Sequence, residues 1–210
     1  MKIAAPQISD EQSYLAFTGQ MAGSTLSHSR IAIRQIDLSG SRAPNLRFEE
    51  AVFSGALLRQ TVWQGLTLVD ARLKACDLSN ADWRQASLNR VEFESCNLTG
   101  VNLANAQLRN TSFHRCKMLL AQLSQAKFSG AALRECQLEQ ADFAAADLRE
   151  VVFDRCNLAQ ARFYGANLEG ADLRRSDLTE LGVNVSDLRG AIIEAGQLVQ
   201  LAPLLGVVVR

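Results

Sequence analysis

Every fifth residue from Phe48 to Leu178 is large and apolar. Those 27 positions hold only Leu, Phe, Trp and Met, beginning Phe48, Phe53, Leu58, Trp63 and ending Leu168, Leu173, Leu178. Two residues before each stands a second column that is mostly small, as in Ala51, Ala56, Ala71, Cys76, Ala81 and Ala86. A fixed period of this kind dictates architecture before any local motif does. It fits neither an α-helix, whose apolar stripe recurs near 3.6, nor an ordinary strand, whose faces alternate every two residues.

A period of twenty lies over the period of five. All five cysteines, Cys76, Cys96, Cys116, Cys136 and Cys156, are twenty apart, as are Ala86, Ala106, Ala126, Ala146 and Ala166. Trp63 and Trp83 share the spacing. Four five-residue units per coil describe a square-sided solenoid in which each unit forms one side. Coils that hydrogen-bond as strands do stack about 4.8 Å apart, so both inward columns fill a dry axis rather than line a channel.

The runs Ala81-Asp82-Trp83, Ala141-Asp142-Phe143, Ala166-Asn167-Leu168 and Ala171-Asp172-Leu173 resemble the A-[DN]-[LF]-x-x unit of the pentapeptide repeat family. The resemblance covers about two-thirds of the chain. It implies an all-β solenoid, a right-handed quadrilateral parallel β-helix, here with about eight coils and a short C-terminal helix and strand. Fold and activity separate easily, so it says much less about function.

The ends depart from the repeat. Residues 1–30 read as an irregular cap or tail, with Ser9-Asp10-Glu11-Gln12 able to open a short helix and Tyr14 and Phe17 able to close the core. Coils are expected from residue 26 to 31 onward, giving a β-helix over 31–192. Leu181-Gly182-Val183-Asn184-Val185 departs from the small column, and Ser186-Asp187-Leu188 recovers the register. At Ile193 the period changes. Gln197 to Ala202 has helical spacing, with Leu198, Leu201 and Leu205 expected on one side. Pro203 should end or distort that helix, and Gly206 suits its close. Val207, Val208 and Val209 read as a short strand. Residues 193–210 therefore form a lid over the last coil, and Leu198, Leu201, Leu205, Val207, Val208 and Val209 are candidates for homodimer contact, since an apolar lid and an edge strand invite a two-fold copy.

Composition narrows the function. The 210 residues carry 22 basic and 22 acidic side chains, a balance without the bulk signature of a nucleic-acid binder. No signal peptide or membrane-length apolar run is seen, so the expected setting is the cytoplasm, with no membrane partner. Parallel cysteines about 4.8 Å apart do not converge for a disulfide, and a linear ladder offers no tetrahedral metal shell, so they read as reduced, buried fillers. No P-loop, GxSxG or GxGxxG is present, and His28 and His114 lack partner sets for catalysis. The expectation is a chain that is not an enzyme, with no catalytic, metal or cofactor site.

The outward positions carry what function there is. Lys74, Glu94, His114, Arg134, Asp154 and Arg174 climb one side by twenties, beside Arg115, Glu135, Arg155 and Arg175, so alternating charges should stack. Along the axis the charge is uneven. Between Glu94 and Glu135 lie Arg109, Arg115, Lys117, Lys127 and Arg134 and no acid, whereas twelve acids face six arginines from Glu135 to Glu194. Leu119 and Leu120 fall at outward positions and are a small contact candidate. Asp187-Leu188-Arg189-Gly190-Ala191, followed by Gln197-Leu198 and Pro203 to Val209, is similar to the C-terminal segment of the Qnr-type quinolone-resistance proteins and their mycobacterial gyrase-binding relative. That resemblance implies end-to-end dimers that imitate duplex DNA and bind DNA gyrase or topoisomerase IV, with Asp172, Asp177, Glu180 and Asp187 as partner-binding acids and no direct contact with nucleic acid. Unlike Qnr proteins with projecting loops, this repeat is unbroken. A second reading is a scaffold or adaptor binding another protein in a secretion or regulatory complex, motivated by the neutral surface.

Overall fold

Each pentapeptide turns one corner, at its last residue. Positive φ is uncommon outside glycine, yet it recurs at every fifth position from Arg30 to Gly190, at Gln35, Asn45, Glu50, Gln60, Asp70 and onward, with glycine serving at Gly40, Gly55, Gly65, Gly100 and others. The single exception is residue 185. A left-handed conformation is most costly for a β-branched side chain, and Val185 instead opens a 3-10 turn over Val185–Leu188.

The computed structural model describes residues 3–7, 15–16 and 27–207. The chain forms a parallel β-solenoid. Strand β1 (Leu15–Ala16) pairs with β2 (Ser27–Arg34), and then β3 (Arg47–Ser54), β4 (Thr67–Lys74), β5 (Ser87–Glu94) and β6 (Gln107–His114) follow in parallel register. Each long strand covers two neighbouring sides, bent at its left-handed corner residue. Above β6 the same two sides carry shorter strands, β7 (Lys127–Ser129), β8 (Ala132–Arg134) and β9 (Val152–Asp154). The ladder Ala32, Val52, Arg72, Glu92, Ser112, Ala132, Val152, Asp172, Ile192 climbs in steps of twenty. The other sides are joined by single bridges such as Asp77 to Asn97 and Asp82 to Asn102.

The Asp or Asn of the repeat has a local cause. Its side-chain oxygen accepts the backbone N–H two residues on: Asp77 from Ser79 at 3.0 Å, Asn102 from Ala104 at 3.0 Å, Asp142 from Ala144 at 3.0 Å and Asp172 from Arg174 at 3.1 Å. This Asx geometry satisfies a turn amide that no strand reaches.

Both inward columns are buried as expected, Met118 included. Equivalent rings stack: Trp63 on Trp83 with centroids 5.7 Å apart, Phe93 on Phe113 at 4.7 Å, Phe143 on Phe163 at 4.8 Å. The last two match the strand spacing. Buried indoles need an acceptor, and the small column provides one. Trp83 Nε1–H donates to Thr61 Oγ1 at 3.0 Å and Trp63 Nε1–H to Ser41 Oγ at 3.1 Å. All five cysteines are free and buried. Their thiols lean on backbone carbonyls, Cys96 Sγ on Leu73 O at 3.3 Å and Cys156 Sγ on Leu133 O at 3.4 Å. Ser176 continues the column and donates to Phe153 O at 3.0 Å. Contact with Cys116 and Cys76, together with burial, pushes the Cys96 thiol well above its ordinary range.

The ends differ in part from the expectation. β2 begins at Ser27, inside the range of 26 to 31 expected for the first coil, and His28 belongs to it, stacked on Phe48 at 5.4 Å rather than lying in an irregular segment. The Gln7 amide donates to Asp70 Oδ1 at 2.8 Å, tying the N-terminal segment to a side of the rod. Ser9 to Gln12, Tyr14, Phe17 and Leu26 lie outside the described residues.

At the other end the helix is shorter than its sequence spacing suggests. A 3-10 turn over Ala195–Gln197 leads into helix α1 (Leu198–Leu201), and a second 3-10 turn over Ala202–Leu205 contains Pro203 and closes on left-handed Gly206. With one α-helical turn between tighter segments, Leu198 and Leu201 do not share a face: Leu198 is 58% exposed and Leu201 6%. Gln197 joins Leu201 on the buried side. Its Nε2 donates to Leu173 O at 2.8 Å and Ser176 O at 2.6 Å, and Gln200 Oε1 accepts the Leu178 amide at 2.9 Å. The lid is fastened by amides as well as by apolar burial. Val207 is exposed and in no strand; Val208 and Val209 lie outside the described residues.

Candidate protein-docking faces

The outward residues form four strips, and many of their charges are paired. Lys74 meets Glu94 at 3.2 Å, Arg72 meets Glu92 at 3.1 Å, Arg155 meets Glu135 at 3.3 Å and Arg175 meets Asp154 at 3.3 Å. His114 Nε2 lies 3.8 Å from Glu135. These are the alternating ladders expected from the twenty-residue spacing. A second kind of pair joins an Asx carboxylate to the arginine two residues on. Arg84 grips Asp82, Arg149 grips Asp147 and Arg174 grips Asp172, each through two nitrogens. Such bidentate geometry holds the carboxyls of Asp82, Asp147 and Asp172 below their ordinary range.

Three of the four nominated acids serve the fold. Asp172 is half-buried, makes its turn and holds Arg174. Asp177 is exposed and accepts from the Thr179 amide at 3.0 Å, the Thr179 hydroxyl at 2.6 Å and Gln200 Nε2 at 3.2 Å. Asp187 Oδ2 takes the Gly165 amide at 2.9 Å and Asn184 Nδ2 at 2.8 Å, fastening the irregular turn to the coil below; donation by Gly165 and Asn184 holds its carboxyl below the ordinary carboxylate range. Glu180 is exposed and ends a corner ladder, Gln140 to Gln160 at 2.9 Å and Gln160 to Glu180 at 2.7 Å. Leu120 is 54% exposed at a left-handed corner, and Leu119 is half-buried beside it. Around the last coil and lid, Leu198 and Val199 are exposed, as are Val185, Ile192 and Val207.

Among the described residues no group of three or more His, Cys, Asp or Glu is placed to hold a metal, and no helix is long and apolar enough to cross a membrane. The cavities are open surface grooves between outward side chains, such as that bounded by Arg72, Lys74, Glu92 and Glu94.

The family model for the pentapeptide repeat region matches residues 86–163 and 108–193. The chain belongs to the pentapeptide repeat family. Among solved structures, this pentapeptide repeat protein is similar to a trypsin-treated form of QnrB1, a plasmid-mediated fluoroquinolone resistance protein. Identity is 22%, coverage 89% of this chain and 99% of that one, and the TM-score 0.49. Full-length QnrB1 shows 18% identity over 84% of this chain and 100% of that one, with a TM-score of 0.43. A pentapeptide repeat protein from the thylakoid lumen of Arabidopsis thaliana shows 23% identity over 56% and 68%, with a TM-score of 0.29. No curated protein matches the chain.

Proposed function

We propose that this protein is a non-enzymatic rigid docking rod whose outward positions bind another protein. One observation favours one of the two forms of that reading. Several of the acids that would make a continuous negative strip are instead paired with arginines: Asp142 with Arg162 at 2.8 Å, Asp147 with Arg149 at 2.7 Å and Asp172 with Arg174 at 2.7 Å. A DNA duplex presents one negative charge per about 1.7 Å of axis. Pairing with arginines weakens such a field, and this favours a scaffold or adaptor.

The topoisomerase reading keeps two supports, the resemblance of the tail to Qnr-type proteins and the exposed apolar residues Leu198, Val199 and Val207 at the end where a dimer would form. Gyrase supercoiling with rising amounts of the protein, with and without ciprofloxacin, separates the readings. The adaptor reading predicts neither inhibition nor drug protection at micromolar protein; either effect would move the assignment to gyrase. Affinity capture on the folded chain, with retained proteins identified by mass spectrometry, then names the partner, and a chain that captures nothing would remove the docking reading altogether.

A further inference from the structure

The five cations between Glu94 and Glu135 stand apart from the paired charges. Arg109, Arg115, Lys117, Lys127 and Arg134 are all exposed, and none forms an ion pair among the described residues. They occupy two successive coils and three adjoining sides. Arg109 in β6 and Lys127 in β7 share one side, where Gln107 stands opposite Lys127 and Arg109 opposite Ser129. Arg134 in β8 lies on the next side above His114. Arg115 holds the following corner, and Lys117 stands on the third side below Gln137.

The first side is also hollowed. Ser129 and Gly130 lack bulk where the coil below carries Arg109 and Asn110 and the coil above Arg149 and Glu150, and a groove of about 540 Å³ opens between Arg109, Lys127 and Arg149. Gly130 cannot readily be enlarged: its φ is +62° and an added Cβ would sit 2.8 Å from Asn110 Oδ1. The nearby acids leave the cations free. Asp147, one coil above Lys127, feels its charge but is held by Arg149, and Glu135 by Arg155. Glu139, above Leu119, accepts from Asn157 at 2.6 Å. Glu150 borders the groove.

We propose that this belt docks an acidic peptide segment of a partner protein, its carboxylates meeting Arg109, Lys127, Arg134, Arg115 and Lys117 and one apolar side chain resting on Leu120. The proposal rests on the docking reading above and gives its partner a chemistry. The charge of the belt is complementary to such a segment. Leu120, 54% exposed and three residues from Lys117, suits a peptide that mixes acids with apolar residues. Single-stranded nucleic acid is bound by cationic grooves with stacking aromatics. Tyr164, the exposed aromatic among the described residues, lies on the side the belt leaves bare.

The test is fluorescence anisotropy with the full chain and a labelled peptide of about fifteen residues mixing Asp and Glu with Leu. Saturable binding that weakens with salt is expected. Arg109→Gln with Lys127→Gln and Arg134→Gln should weaken it at least about tenfold, and Leu120→Ser by about threefold, while Arg59→Gln, an exposed cation outside the belt, leaves it unchanged. Circular dichroism confirms that each variant is folded. Absent binding, equal binding by the triple variant, or an oligothymidine of equal length binding as tightly with the same belt dependence would each overturn the proposal. A belt variant that still captures the wild-type partner from extract would overturn the belt and leave the docking reading standing; a wild-type chain that captures no partner would remove both.

Discussion

Replacing Thr61 by Val removes one hydroxyl from the dry axis and little else. Thr61 and Trp83 are 0% and 1% exposed, and the Trp83 indole N–H has Thr61 Oγ1 as its acceptor at 3.0 Å. The hydroxyl in turn donates to Leu58 O at 2.9 Å, a carbonyl that keeps the Thr61 backbone amide at 3.3 Å after the change. The cost is therefore that of a buried donor left without a partner, about 1–3 kcal/mol. Trp83→Phe removes the donor and leaves the Thr61 hydroxyl bonded to Leu58 O, so the double variant should cost about 1 kcal/mol less than the sum of the singles. Urea unfolding followed by far-ultraviolet circular dichroism gives the four stabilities without using the altered tryptophan as probe. Thr61→Val within about 0.5 kcal/mol of wild type, or a cycle with no coupling, would refute the claim that the small column serves the indoles.

Gln197→Ala should cost about 1–3 kcal/mol by leaving Ser176 O without its donor, and hydrogen exchange should quicken first in the coil holding Leu178; uniform exchange would contradict the lid. Arg90 grips Asp70 through two bonds of 2.6 Å and, with the Gln7 amide, holds its carboxyl below the ordinary value of 3.8. The stability from this pair is fully present above the unfolded carboxylate value near 3.9 and is lost as pH falls through the lower folded value. Asp70→Asn should thus destabilise at pH 7 by about 1.5–3 kcal/mol, with the gap to wild type closing in acid; a gap unchanged by acid would refute the pairing. The five thiols should resist a soluble disulfide reagent in the folded chain and all react in denaturant, and rapid reaction of any one in the folded state would contradict their burial.

The axis was legible because its rule is strict. Both inward columns have one environment at every level, so each coil restates the same constraint and the period survives in the residues. The corner rule was equally present but is read from absence: from Arg30 to Gly190 the corner is never β-branched except at Val185, and there the chain leaves the left-handed conformation. The turn role of the outward Asp and Asn was harder to see, since a carboxylate that accepts an amide two residues on looks in sequence like surface charge. Asp172, Asp177 and Asp187 carry such a turn or fastening role in addition to any role at the surface. The lid was legible in its place and not in its fastening, because Gln197 and Gln200 act through hydrogen bonds that apolar spacing does not register.

The central claim is that partner binding resides in the outward positions and the inward columns only build the rod. A chain that keeps both inward columns, the Asp and Asn turn positions and the corner residues, but permutes the remaining outward side chains, has the same fold and a scrambled surface. Immobilised beside the wild type in extract from the source cells, it should retain nothing in stoichiometric amount, while the wild type retains a discrete partner released by salt. Equal retention by the two chains would contradict the account.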